Sequence, residues 1–442
     1  MSSSLAGSAQ EGVISSHEQV TVEQITSRSE QKQEAKFGTA ELLSNRNFLW
    51  LWLGRMISAF GDNVTNLTLL ILVNALTGST AAIATMTVIL AVPQVTIGLL
   101  GGVYADRWNR KRILLFSDFV RGVLVLGFIF VNSAERIWLL YILAFVQACV
   151  GTLDSPARGA ILPQIVPSQG LLAANSLNQT GNLLAMVLGS MAAGILVGLT
   201  GSYWLAFTID ALTFFVSFAL VLLLKVKPQE QRQNVEDQGF SANVASVLGD
   251  LGSGLALIGK TPVLWGSLIV TGVMMLGLGS VNVLFVPFMA NDLHVPISWF
   301  GFVEFAQVLG MILSGSLAAT VLKFKLGHVI STGALALGTA IALIALSTAT
   351  WHIVVVLFVV GCFVTPLQAA VATLTQTSVS NDVLGRIGSA MNTIIGAANL
   401  LSMASAGLLG ALLGIRNVFF IAGLICVLAG LLALRLFRTE AK

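Results

Sequence analysis

The sequence predicts an all-α fold embedded in a bilayer, and three observations carry that prediction. Apolar residues fill 56% of the 442 positions and charged residues only 10%, with a mean hydropathy of +0.88. That is more apolar surface than a water-solvated domain can bury. The apolar residues fall in blocks of about twenty, the length a helix needs to cross hydrocarbon with its backbone hydrogen bonds closed internally. Between the blocks, Lys and Arg alternate between abundant and scarce, the pattern that sets orientation in a membrane.

Twelve spans follow, near 47–75, 82–104, 113–132, 137–156, 170–198, 203–225, 263–290, 297–320, 327–347, 352–376, 386–413 and 417–436. With a cytoplasmic N-terminus, nineteen of the 23 basic residues lie on the cytoplasmic side, Arg136 and Arg416 lie outside, and Arg55 and Arg121 fall within spans. Both chain ends are therefore expected in the cytoplasm, on a multi-pass protein of the cell (inner or plasma) membrane. Residues 1–40 are rich in Ser, Gln and Glu without an apolar run, and read as a disordered cytoplasmic tail. The expected division is a six-helix bundle over 41–225, a cytoplasmic linker over 226–262 and a second six-helix bundle over 263–442. In the linker, Val247, Leu251, Leu255 and Leu257-Ile258 recur at helical spacing and predict an amphipathic helix on the membrane surface.

Span 1 enters with Phe48, Trp50 and Trp52, which suit the interfacial belt, and then carries Arg55 and Asp62. Seven residues is two helical turns, so the two charges share a face about 10 Å apart. Arg55 is nearer the cytoplasmic edge, where its long side chain can snorkel. An ionised carboxylate near mid-span costs roughly 3 kcal/mol, so Asp62 is expected to face water, pair, or hold a proton. It is the leading functional candidate. Span 2 ends in Gly98-x-x-Gly101-Gly102, small residues that permit close helix approach. The stretch Gly102 to Arg112 follows, in which five of eleven residues are charged, so it belongs in water at a membrane face. Span 3 brings Asp118 and Arg121, an i,i+3 pair expected to join the network of that charged loop. Asp210 in span 6 is expected to serve structure. Glu304 is an acid deep in span 8, and Asp382 and Arg386 flank the turn into span 11 as expected gate contacts.

The second half repeats the first. Gln307-Val308 and Gly315 align with Gln94-Val95 and Gly102 at an offset of 213, Lys323 and Lys325 fall on Arg110 and Arg112, and Ala406-Gly407 matches Ala193-Gly194. Pro366 and Asn392 follow Pro156 and Asn178 at nearly the same interval. An even number of spans per copy makes the two copies parallel. The second copy has Ala319 where the first has Asp106, and Glu304 where the first has Ala91.

The spacing G-x-x-x-D-R-x-x-R-K-R over Gly102 to Arg112 resembles the signature loop between helices 2 and 3 of the major facilitator superfamily (MFS). Asn109 stands where the usual form has Gly. Asn tolerates a left-handed backbone, so the turn is expected to survive the change. Asp154-Ser155-Pro156-Ala157-Arg158-Gly159, with Ala174-Asn175-Ser176-Leu177, resembles the 4–5 connection of the branch containing macrolide-efflux proteins and enterobactin exporters. Ser58-Ala59-Phe60-Gly61-Asp62 and Leu76-Thr77-Gly78-Ser79 extend that likeness. Gly189-Ser190-Met191-Ala192-Ala193-Gly194 resembles the drug-antiporter motif of span 5, but Ser190 and Ala193 replace its Pro and Gly, which weakens the expected kink.

The resemblance implies an MFS fold of twelve helices in two pseudo-symmetric six-helix bundles. It also implies a cytoplasmic gate built on Gly102, Asp106, Arg107, Arg110 and Lys111, with Asp118 and Arg121, and a cleft lined by spans 1, 4, 7 and 10. Asp62, Asn63, Gln147, Met274, Met275 and Gln368 would face that cleft, with Asp62 first and Glu304 second as coupling carboxyls. The function this implies is proton-coupled export of amphipathic, drug-like small molecules, with a siderophore, lysolipid or other metabolite carrier as the alternative. Expected partners are the small-molecule substrate, protons and the lipid bilayer, and a monomer suffices because each chain holds its own pathway.

Other classes find little support. Cys149, Cys362 and Cys426 lie inside spans at no metal-ligand spacing, and the four histidines are scattered, so neither a disulfide framework nor a metal site is expected. There is no phosphate-cradling loop, H-E-x-x-H or nucleophile elbow, so no cofactor and no enzyme chemistry are expected. The basic residues form no aromatic-interleaved patch, which argues against nucleic acid.

Overall fold

In hydrocarbon a backbone must satisfy its own hydrogen bonds, and the helix is the local way to do so. The computed structural model describes residues 39–97, 108–226, 240–321 and 324–437, and all regular structure among them is helical. A short helix, Thr39–Ser44, precedes α1 (Arg46–Thr77), α2 (Thr80–Thr96), α3 (Arg110–Phe128), α4 (Ile137–Gly151), α5 (Asp154–Ile165), α6 (Leu171–Thr200) and α7 (Tyr203–Leu222). Then come α8 (Phe240–Lys260), α9 (Pro262–Pro287), α10 (Phe300–Val321), α11 (Leu326–Ala345), α12 (Thr350–Thr377), α13 (Asn381–Leu413) and α14 (Ile415–Leu436). Among the described residues, ten segments are long and apolar enough to cross a membrane. The other two expected spans correspond to α2, of 17 residues, and to α3, whose 19 residues include five charged ones.

Local chemistry sets the helix ends. Asn45 accepts from the backbone N–H of Asn47 and Phe48 at the start of α1. Gly78 (φ 59°) and Gly201 (φ 64°) close α1 and α6 in the left-handed conformation that a glycine adopts without strain. Asn109 corrects an expectation: its φ of −63° and ψ of 110° are extended, not left-handed, and its side chain caps α3 by accepting from the N–H of Arg112. An asparagine therefore serves here as an N-cap. A second correction concerns the stretch after residue 156, expected as a connection. It is helix α5, and Pro156 fits its first turn, where a missing N–H leaves no bond unmade.

Both halves pair their helices by one scheme. In the first, α1 meets α6 where Gly189 faces the Phe60 carbonyl, α3 meets α7 where Gly122 faces Phe214 and Phe215, and Tyr141 Oη on α4 donates to Ala82 O on α2 (3.0 Å). In the second, α9 meets α13 at Gly279 and Asn399, α11 meets α14 at Gly338 and Gly423, and α10 meets α12 at Gly310 and Gly361. The duplication read in the sequence thus recurs as a duplicated packing pattern. Helix α8 lies on α9 and α13, with Ile258 buried among Leu264, Leu268, Ile387 and Met391.

The ends of the bundle differ. At the linker end, α1 and α7 are tied by reciprocal bonds between the Asn47 side chain and the Lys225 backbone, both at 3.1 Å. At the opposite, distal end, the two halves press together. Asn74 and Asn291 exchange amide hydrogen bonds (3.2 and 3.1 Å), Thr80 Oγ1 donates to Gly407 O (2.9 Å), and Gly198 and Gly194 of α6 lie against the backbone of Ser298, Ile297 and Gly301.

Small residues make these approaches possible, since van der Waals packing holds helices together in lipid. A Cβ on Gly338 would lie 2.5 Å from Val427 N and 2.7 Å from Gly423 O, whereas one on Gly259 would meet nothing within 4 Å. Gly338→Ala is expected to destabilise by about 1–3 kcal/mol through overpacking, and Gly259→Ala to be neutral or slightly stabilising. Thermal unfolding of the purified protein in detergent checks both.

Candidate functional site

Seven charged side chains from four helices of the first half meet inside the apolar bundle. Arg55 and Asp62 come from α1, Asp118 and Arg121 from α3, Asp154 and Arg158 from α5, and Asp210 from α7. Helical spacing explains the convergence. Pairs at i,i+3, i,i+4 and i,i+7 each present one face, and the packing of α1, α3, α5 and α7 turns those faces inward.

Arg121 Nη2 bonds Asp62 Oδ1, and its guanidinium sits 4.3 Å from the centroid of the Phe214 ring, a cation–π contact of the kind that strengthens when water is excluded. The Arg158 Nε is 2.9 Å from both Asp154 oxygens, and Nη1 donates to Leu51 O at 3.2 Å. Arg55 Nη1 reaches Asp154 Oδ2 at 3.2 Å. Asp118 Oδ2 accepts from Ser217 Oγ at 2.7 Å and lies 3.8 Å from Arg158 Nη2. Arg121 is also close enough to Asp154 and Asp210 to feel their charge.

Asp210 is fully buried. Thr213 Oγ1 lies 3.2 Å from its Oδ1, and Gly61 permits the approach, because a Cβ there would collide with Asp210 Oδ1 and Thr213 Oγ1. Saturation is incomplete: among the described residues, Asp118 Oδ1, Asp210 Oδ2, Arg121 Nε and Arg158 Nη2 lack a hydrogen-bond partner. Such a network is electrostatically strong and sensitive to one added or lost proton.

Arg55, read as able to snorkel, is held by Asp154. Asp118 and Arg121 join a network with α1, α5 and α7, whereas Gly102, Asp106 and Arg107, the expected loop partners, lie outside the described residues. Arg110 Nη1 donates to Ala160 O (2.8 Å), and Lys111 Nζ donates to Leu222 O and Leu224 O (2.8 and 2.7 Å). Both lysine bonds cap the negative end of the α7 dipole. Met274, expected in the cleft, is buried in the core, its carbonyl 3.7 Å from Cys426 Sγ, because its position on α9 faces α14. Gln147 is likewise buried, with Oε1 unpartnered among the described residues. Asn63 and Met275 are half-buried and Gln368 is exposed. Glu304 faces the Ser190 hydroxyl across the interface between the halves. Arg386 lies under α8, where its carbonyl approaches Gly254, and the side chain of Asp382 is outside the described residues.

Sequence reading missed Asp154 and Arg158 as members of the site. Their i,i+4 spacing between apolar runs was the available signal. Among the described residues, no group of three or more His, Cys, Asp or Glu could hold a metal ion.

A repeated bundle of membrane-crossing helices, with a buried ion-pair network and two halves pressed together at one end, defines a polytopic membrane transporter. The chain belongs to the Major Facilitator Superfamily, whose sequence profile matches residues 51–403. It is 27% identical over 409 residues to the "Multidrug efflux pump Tap" of Mycobacterium tuberculosis, covering 89% of this chain and 94% of that one. It is 21% identical to "Macrolide efflux protein A" of Streptococcus pyogenes (86% and 94% covered). It is 24% identical to the MFS-type transporter YfiS of Bacillus subtilis (88% and 93%). Among solved structures, a mutant form of the nucleoside transporter NupG superposes with a TM-score of 0.74 at 13% identity, over 88% of this chain and 99% of that one.

Truncating Asp154 strands two guanidiniums. Asp154→Ala is expected to cost about 3–5 kcal/mol, and Asp154→Leu with Arg158→Leu to recover only part of that loss, because Arg55 and Asp118 each still lack an ionic partner. Equilibrium unfolding in mixed micelles checks both.

Proposed function

We propose that this transporter exports amphipathic small molecules by alternating access, in exchange for protons, with Asp62 as the coupling carboxyl. The observation that carries the reading is exposure: the Asp62 side chain is 20% exposed, while that of Asp154 is 3%, that of Asp118 is 0% and Asp210 is fully buried. Asp62 is thus the most exposed carboxyl of the network, and Arg55, at 32%, is its other exposed member.

Position supports the same residue. Asp62 ties α1 to α3 through Arg121, so in this reading proton uptake at Asp62 loosens that tie. A cationic or hydrogen-bonding solute that competes for Asp62 would drive the exchange, since a ligand shifts an equilibrium only by its differential affinity for the two states. Glu304, opposite Ser190, is the second candidate for carrying a proton.

In this reading the linker end is cytoplasmic, because Lys and Arg concentrate there, and the distal contacts form the closed outer side. The halves over 41–225 and 263–442 rock as bodies, tethered through 226–262, and one chain suffices for transport. Asn63, Met275 and Gln368 are offered as cavity residues, the methionine supplying an adaptable apolar wall. The similarity to proteins named for macrolide and multidrug efflux favours bulky amphipathic substrates.

In proteoliposomes loaded with a pH dye, Asp62→Asn is expected to abolish substrate-dependent proton flux, while Asn63→Ala changes apparent affinity by no more than about tenfold. Unchanged proton flux in Asp62→Asn sinks the assignment. A second test targets the rocking. A Cβ on Gly198 would lie 2.7 Å from Ser298 N, so Gly198→Leu is expected to wedge the distal interface. Transport should fall at least about tenfold, with faster thiol labelling of cysteines placed at positions 74 and 291; slower labelling would contradict the closed-outer-side reading.

A further inference from the structure

The backbone after α9 departs from helical spacing. Leu293 N–H donates to Phe288 O, five residues back (3.0 Å), and Val295 N–H donates to Met289 O (2.9 Å), so Phe288–Asp292 forms one wide π-turn. Such turns are rare and gather at functional sites. His294 follows at φ 51°, the one non-glycine residue with positive φ among the described residues. A side chain in that conformation persists where its surroundings fix the backbone.

Arg416 supplies the fixing. It stands in the first turn of α14, where its own helix disfavours a cation, and its bonds run to other elements. Nη1 donates to Ala345 O and Ser347 O, both at 2.9 Å, at the end of α11 where carbonyls lack helical partners. Nε lies 3.7 Å from Asp292 Oδ2, and the guanidinium carbon lies 5.4 Å from the centroid of the Phe288 ring. That ring is fully buried and meets Phe419 of α14 edge-on, with centroids 5.0 Å apart. One side chain thus touches the first and the last residue of the π-turn and ties both to α11 and α14. Asn291 stands between them, and it is the residue that exchanges amide hydrogen bonds with Asn74 of the first half.

We propose that Arg416 is a positioning residue for the outer gate: by fixing the π-turn it presents Asn291 to Asn74, and so sets how firmly the distal ends of the two halves stay together. The inference rests on the alternating-access reading, in which those ends part. The Asp292 ion pair, with side chains 40% and 30% exposed, contributes little by itself. The carbonyl bonds and the Phe288 contact carry the placement. Placement matters because the amide bonds are already 3.2 and 3.1 Å long, and a shift of the turn by about half an ångström takes them past hydrogen-bond length.

The test uses the full chain in lipid nanodiscs, with Cys149, Cys362 and Cys426 replaced by alanine and spin labels attached through Trp138→Cys and Trp351→Cys. Both positions are exposed, in the first turns of α4 and α12 at the distal end, one on each half. Double electron–electron resonance then reads the ratio of long to short distances, open to closed. Arg416→Gln and Asn74→Ala are each expected to raise that ratio about fivefold, the weight of one hydrogen-bonded pair. Together they should raise it no further than either alone, because both act on one contact. An unchanged ratio in Arg416→Gln overturns the proposal. So does a shift that persists undiminished in the Asn74→Ala background, since the arginine would then act on stability alone. Should Arg416→Gln not fold, Asp292→Asn takes its place: a rise of about twofold that Asn74→Ala abolishes supports the proposal, and no rise overturns it. Failure of the alternating-access reading looks different, as a single distance common to every variant, and it removes the gate together with its positioning residue.

Discussion

The first half of this transporter depends on guanidinium–carboxylate pairing in a place where neither ion could stay alone. A single charge in the bilayer core costs several kcal/mol, and loss of one partner from a buried pair is more damaging than loss of both. Arg158 bridges Asp154 and, at longer range, Asp118; Arg121 joins α3 to α1; Arg55 adds a third cation. Helices α1, α3 and α5 are thereby held in register by partners that cannot be exchanged for lipid, and the Ser217–Asp118 bond adds α7. Apolar contacts, which lipid can replace, do not provide that register.

The second half is built differently. Its helices meet through glycine and alanine, as at Gly338 with Gly423 and Gly310 with Gly361, and its intramembrane acid, Glu304, faces the first half. The pairing scheme is duplicated while the charge is not. One half therefore carries the buried ion pairs, and the other is packed through small residues. The distal interface joins the two through paired asparagines and the backbone contact of Gly198 with Ser298.

By itself the sequence determined the membrane class, most of the span positions and the internal repeat. Each of these follows from local composition and period, which need no partner to be read. It also pointed to Asn109 as a turn residue, but the backbone made it a cap, because the N–H of Arg112 was there to receive it. Tertiary structure alone decided which charge meets which. Arg121 pairs with Asp62, 59 residues away, and Arg55 with Asp154, 99 residues away, since the angle at which α1, α3 and α5 pack selects the partners. It likewise decided that Met274 belongs to the core and that Asp154 and Arg158 belong to the site. Periodicity names the face of a helix, but only packing says what that face meets.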